Sequence, residues 1–143
     1  MPKTVTLTVL VVALAVGAFA VSSRPAGAET CPIGDAQAEK AGGYANAVEA
    51  ALNEAPNCAQ AFTTLSACQL GSSADNALSD IVRAKCEPLF MNAVGPAAKQ
   101  AYRRALKRCD RVAERNEGTL YQGLAAVCQA KTARDYARKY GRK

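Results

Sequence analysis

Apolar positions in the second half of the chain recur at helical spacing. Ala98, Tyr102, Ala105, Cys109 and Val112 follow a 4-3-4-3 rhythm. At about 100° per residue they form one stripe. With Ala101, Leu106 and Ala113 they fill a continuous arc, while Lys99, Arg103, Arg104, Lys107, Arg108, Arg111 and Arg115 fill the opposite one. Pro96 suits a first helical position, and Asn116-Glu117-Gly118 ends the pattern, so a helix is predicted over 96–116. Weaker patterns precede it. Asp35 is expected to cap a first helix running to about Ala55, with Tyr44, Val48 and Leu52 inward and Gly42-Gly43 weakening its middle. Asn57 and Gln60 resemble a capping box for a helix over about 58–69, ended by Gly71. Ser72 or Ser73 is expected to cap a third helix that carries Leu78, Ile81 and Val82 inward and ends near Cys86. Leu89-Phe90-Met91 with Val94 reads as an apolar plug. Thr119 and Gln122 form a second capping-box pattern. It opens a last helix with the stripe Leu120, Leu124, Val127 and Cys128, fraying into the basic tail Arg138 to Lys143. Strand signal is poor and alanine, the best helix former, dominates. The expected fold class is all-α: a small disulfide-stapled bundle of about five helices.

The start of the chain follows a different pattern. Lys3 is followed by an almost unbroken apolar run from Val5 to Val21, a break at Ser22-Ser23-Arg24-Pro25, and Ala26-Gly27-Ala28. This reads as a signal peptide over residues 1–28 with cleavage near Ala28. Residues 29–143 then form a single helical domain with a short basic C-terminal tail. An uncleaved anchor is the alternative, and membrane contact is expected only through this segment. The chain is expected to be exported, periplasmic or secreted, in a bacterial setting. Lipidation at Cys31 is rejected, because Glu29-Thr30 does not fit a lipobox.

Six cysteines, at 31, 58, 68, 86, 109 and 128, read as a disulfide framework in an exported chain. No two are closer than ten positions, which removes the spacing of a CxxC redox motif or a four-cysteine metal site. Cys109 and Cys128 lie about 8.5 and 10.5 positions either side of the turn at Glu117-Gly118, nearly level in an antiparallel hairpin. The same arithmetic about residues 70–71 brings Cys58 near Cys86. Ten residues of helix rise about 15 Å, too far for Cys58 to reach Cys68, because a disulfide needs Cα atoms within about 7 Å. Elimination leaves Cys31–Cys68.

Charge is divided along the chain. Residues 29–82 hold one basic and seven acidic side chains, and residues 83–143 hold fifteen basic and five acidic, an acidic half followed by a basic half. The chain has no histidine, which excludes the Ser-His-Asp triad and histidine-based metal sites. No catalytic residue, metal ligand or cofactor is assigned. Asp110 and Glu114 share a helix face and could serve a hydrolase, but each follows a basic residue by three positions, and helix ion pairs are the expectation. Ser72, Ser73 and Thr119 read as caps. The basic arc of Arg103, Arg104, Lys107, Arg108, Arg111 and Arg115 is the candidate face for an anionic partner. Tyr136 and Tyr140 interleave with the basic tail. The competing expectation is a solvated face, or one buried against the acidic half. Nucleic acid is not expected.

From Ala98 onward, Lys99-Gln100-Ala101-Tyr102-Arg103-Arg104, Cys109, Gly118-Thr119, and Cys128 with Thr132 and Arg134 resemble the LprI-type proteins, small exported helical domains named for lysozyme inhibition. The match covers about a third of the mature chain. It departs from the family at Tyr102, where the family has Trp, at Lys107-Arg108, and at Glu117. The resemblance implies a protein-binding inhibitor rather than an enzyme. From the residues themselves, the expected function is a non-catalytic exported binding or envelope protein, its partner an anionic envelope component or another protein. The alternatives are a lysozyme-inhibitor-like protein whose acidic half docks a basic enzyme, and a small carboxylate-dependent hydrolase.

Overall fold

The computed structural model describes residues 30–141. Residues 1–28, expected to be a signal peptide, and the end of the basic tail lie outside the described residues. Among these residues there are seven helical segments and no strand: α1 (Asp35–Lys40), α2 (Tyr44–Glu54), α3 (Cys58–Ala67), α4 (Ala74–Cys86), α5 (Pro88–Met91), α6 (Pro96–Glu114) and α7 (Thr119–Tyr140). The bundle is all-α and disulfide-stapled, with two more segments than the five helices expected from sequence.

The extra segments have local causes. Gly42 and Gly43 adopt φ values of 74° and 142°, a region that side chains disfavour. They therefore split the expected first helix into α1 and α2 instead of merely weakening it. Asp35 is the first helical residue rather than the cap; Gly34 takes the cap position, its N–H donating to Gln37 Oε1 at 2.6 Å. Pro88 starts a separate turn, α5, which drops Phe90 fully into the core and leaves Leu89 outside. Met91 and Val94 pack against the core beside Phe90, so of the expected plug only Leu89 lies outside.

Asn57 caps α3 as expected, accepting from Gln60 N at 2.9 Å. The Gln60 side chain meets the Asn57 side chain rather than its backbone N–H. Of the two serines expected to cap α4, Ser72 accepts through Oγ from Ala74 N at 3.3 Å, while Ser73 makes no side-chain bond. The Asp75 carboxylate folds back and accepts from Leu70 N and Gly71 N, both at 2.9 Å, and from Ser72 N at 3.4 Å. It is 1% exposed, so these bonds are what make its burial tolerable.

Helix α7 is the central element, packed by α3, α4, α5 and α6. The expected stripe holds in its second half, where Val127 packs against the core and Cys128 is bonded to Cys109. Leu120 and Leu124 are 46% and 41% exposed, and the buried positions are Gly123, Ala125, Ala130, Ala133 and Ala137. A Cβ on Gly123 would collide with the Ser72 carbonyl oxygen and come within 3.1 Å of Asp75 Oδ2. Close approach of α7 to the α3–α4 turn therefore selects glycine. Gly118 (φ 108°) is the α7 cap, and Thr119 is its first helical residue with no side-chain cap bond. The helix runs to Tyr140 instead of fraying. Tyr136 packs against Phe90 and Tyr102 at ring centroid distances of 5.7 and 5.0 Å, and Tyr140 stacks on Tyr136 at 5.6 Å. These tyrosines belong to the aromatic core and its edge, not to a binding tail.

Three disulfides join Cys31 to Cys68, Cys58 to Cys86 and Cys109 to Cys128, with Cα–Cα distances of 4.8, 4.9 and 5.5 Å. This is the pairing the helix arithmetic leads to. The first fastens the segment before α1 to the end of α3. The second ties α3 to α4, and the third ties α6 to α7.

Candidate functional site: the outer face of α6

Helix α6 packs on α7 along Tyr102, Ala105 and Cys109, all buried. Arg103, Arg104, Lys107, Arg108, Arg111 and Arg115 all stand exposed on its other side. Among the described residues, none of these six forms an ion pair; the salt bridges involve Arg83, Lys131, Arg134 and Arg138. The face is therefore solvated, and it is not buried against the acidic half. Exposed acidic residues Asp35, Glu39, Glu49 and Glu54 lie on α1 and α2. Helices α3, α4 and α7 stand between them and α6.

The six cations do not form one uniform patch. At about 100° per residue, Arg104, Arg108, Arg111 and Arg115 fall within about 60° of one another and form a row. Over eleven residues that row climbs about 16 Å. Arg103 and Lys107 lie beside it, on the side that also carries Asp110 and Glu114. The row itself carries no carboxylate. Its C-terminal end borders a shallow cleft of about 410 Å³ between Arg108, Arg111, Val112, Arg115 and Asn116. Asn116 Nδ2 donates to Val112 O at 2.8 Å, securing the last turn.

Asp110 and Glu114 do not form the helix ion pairs expected with Lys107 and Arg111. Asp110 instead accepts from Gln129 Nε2 of α7, and it lines a groove of about 320 Å³ with Asn76, Asp80, Gln122 and Gln129. Glu114 is exposed and does not line that groove. The two carboxylates thus share no cleft.

Behind Asp110 runs a polar chain that reading of the sequence missed. Arg83 Nη1 donates to Gln129 Oε1 at 3.2 Å, and its Nε and Nη2 donate to Glu87 Oε1 at 3.0 and 2.9 Å. The Tyr102 hydroxyl donates to the same Glu87 oxygen at 2.7 Å. Helices α4, α6 and α7 are linked through these atoms. Burial, with the Glu87 hydrogen bond and charge added, raises the Tyr102 pKa well above the ordinary tyrosine value. For Arg83, burial opposes the charge, but the hydrogen bond and charge of Glu87 outweigh it and raise the pKa. The only available signal was Arg83-x-x-x-Glu87, a common helix spacing that says nothing of Tyr102.

Comparison with protein families, curated proteins and solved structures gives no match. Among the described residues, no three His, Cys, Asp or Glu side chains converge as metal ligands do, and no helix is long and apolar enough to cross a membrane. The face is exposed and cationic. That chemistry suits multipoint contact with anions.

Proposed function

We propose that this chain is an exported, disulfide-stapled binding protein that acts without catalysis and holds a polyanionic component of the cell envelope against the outer face of α6. The observation that carries the reading is the carboxylate-free row of Arg104, Arg108, Arg111 and Arg115, exposed and without ion pairs among the described residues. Guanidinium groups in a row engage phosphate, sulfate or carboxylate oxygens in forked pairs. Three disulfides suit an oxidising compartment. The apolar side of α6 is used up on α7, so contact with an anionic surface is electrostatic and does not require insertion.

Residues 29–143, oxidised, should bind a sulfated polysaccharide and vesicles rich in anionic lipid, and the ratio of the two affinities identifies the source of the anions. Each cation near an anionic surface contributes about 1 kcal/mol. The pair of reversals Arg104→Glu and Arg108→Glu should therefore weaken binding at least tenfold in about 0.1 M salt. Binding of both probes that ignores salt and both reversals would overturn the proposal.

A second reading is favoured by the exposed carboxylates of α1 and α2. They form an acidic end able to dock a basic enzyme, in line with the lysozyme-inhibitor resemblance. Inhibition of lysozyme that Glu49→Lys with Glu54→Lys abolishes, and that the α6 reversals leave intact, would support this reading over the first.

A further inference from the structure

We propose that the groove between the start of α3, α5 and the C-terminal half of α7 binds an amphiphile with a single aliphatic tail and an anionic head. The groove measures about 330 Å³ and is lined by Asn57, Cys58, Ala59, Leu89, Ala137 and the two arginines Arg134 and Arg138. That volume lies at the lower end of the range for small-molecule sites, which suits one chain and not a double-tailed lipid. The trough has a clear origin. Ala59 and Ala137 are too small to fill the space between α3 and α7, and the one-turn helix α5 buries Phe90 completely while leaving Leu89 47% exposed at the groove wall. An exposed leucine beside two alanines and a disulfide offers apolar surface that water covers at a cost of about 25 cal/mol per Å².

The arginines supply the head-group chemistry. The Arg134 guanidinium lies over the Phe62 ring, 4.4 Å from its centroid. Its Nε faces Asp135 Oδ1 at 2.9 Å, and among the described residues its terminal nitrogens donate no hydrogen bond. Arg138 is 76% exposed, with its Nη2 3.7 Å from the same carboxylate oxygen. Lys131 also pairs with Asp135, at 3.0 Å. One carboxylate therefore faces three cations, and the rim keeps a positive excess. A neutral apolar ligand would leave that excess unused, and a bare anion would leave Leu89 wet. An anionic amphiphile satisfies both. The site is distinct from the α6 row: Arg134 rests on α3, whereas Tyr136, on the other side of α7, meets Tyr102 of α6.

The test is calorimetric titration of oxidised residues 29–143 with dodecanoate, dodecyl phosphate and neutral dodecyl maltoside, each below its micelle concentration. Saturable one-site binding of the two anionic probes is expected, and their relative affinity distinguishes a carboxylate from a phosphate head. The maltoside should bind at least tenfold more weakly. Leu89→Asp should weaken binding about tenfold, and Arg138→Glu should weaken it several-fold with a reduced salt dependence. Both positions are exposed, and unchanged circular dichroism and melting would confirm folding. Arg104→Glu with Arg108→Glu should leave the titration unchanged, so failure here and failure of the α6 reading are separable. Absence of saturable binding, equal affinity for the maltoside, or indifference to both groove variants would overturn the proposal.

Discussion

Helices α6 and α7 are joined by a disulfide and lie side by side, yet they follow opposite rules. Helix α6 has a neighbour on one side, so its sequence separates cleanly into a buried stripe and a charged face. Helix α7 has neighbours on several sides, so burial selects small residues, and its largest aliphatics, Leu120 and Leu124, lie outside. A one-sided helix advertises its orientation through large apolar residues. A central helix in a close-packed bundle hides it, because alanine and glycine carry little hydrophobic signal. Helix α6 keeps one broad cationic face exposed, whereas α7 meets α3, α4, α5 and α6.

Variants test this contrast between the two helices. The largest effect is expected from Cys109→Ser with Cys128→Ser, which releases α6 from α7. For a closed loop of this size the loss is about 3 kcal/mol, read by denaturant unfolding, while Cys31→Ser with Cys68→Ser should leave the α6–α7 contact in place. Full retention of stability in the first pair would show that packing alone holds the hairpin. Next is Gly123→Val, which places side-chain atoms against the Ser72 carbonyl; overpacking of this kind costs about 2 kcal/mol. An unchanged melting temperature would mean α7 stands farther from the α3–α4 turn than described. Tyr102→Phe should lose about 1 kcal/mol at neutral pH through the missing hydroxyl bond to Glu87. It also has a signature in alkali. The unfolded chain ionises a tyrosine near pH 10.0, whereas folded Tyr102 keeps its proton to higher pH. Unfolding above that pH therefore releases a proton, and stability, complete below about pH 10, falls as pH rises. The variant should show a shallower alkaline fall. The smallest effect belongs to the outer face: Arg104→Glu with Arg108→Glu should change stability by no more than about 0.5 kcal/mol. A loss of several kcal/mol would show that the face is packed against something.

The same contrast explains what could be read from sequence. Helix α6, the capped start of α3 and the three cysteine pairs depend on local periodicity and on rise per residue, which the chain displays openly. The division of α1 from α2 depends on whether Gly42 and Gly43 take positive φ or stay helical, and glycine permits both. The role of Asp75 was hidden because an aspartate in the first turn of a helix ordinarily reads as a partner for the helix dipole; here it reaches back across the preceding turn. The exposure of the α6 arginines was legible, but the fate of Asp110 was not. Its partner, Gln129, comes from α7 at a sequence distance of 19 residues, and only the antiparallel register of the two helices brings it there.

We propose that the outer face of α6 is the contact surface for a polyanion. The most direct measurement is nuclear magnetic resonance mapping of isotope-labelled, oxidised residues 29–143 during titration with a sulfated polysaccharide. Perturbations should concentrate at Arg104, Lys107, Arg108, Arg111 and Arg115, vanish at high salt, and spare α1 and α2. Perturbations confined to α1 and α2, or spread evenly over the molecule, would contradict it.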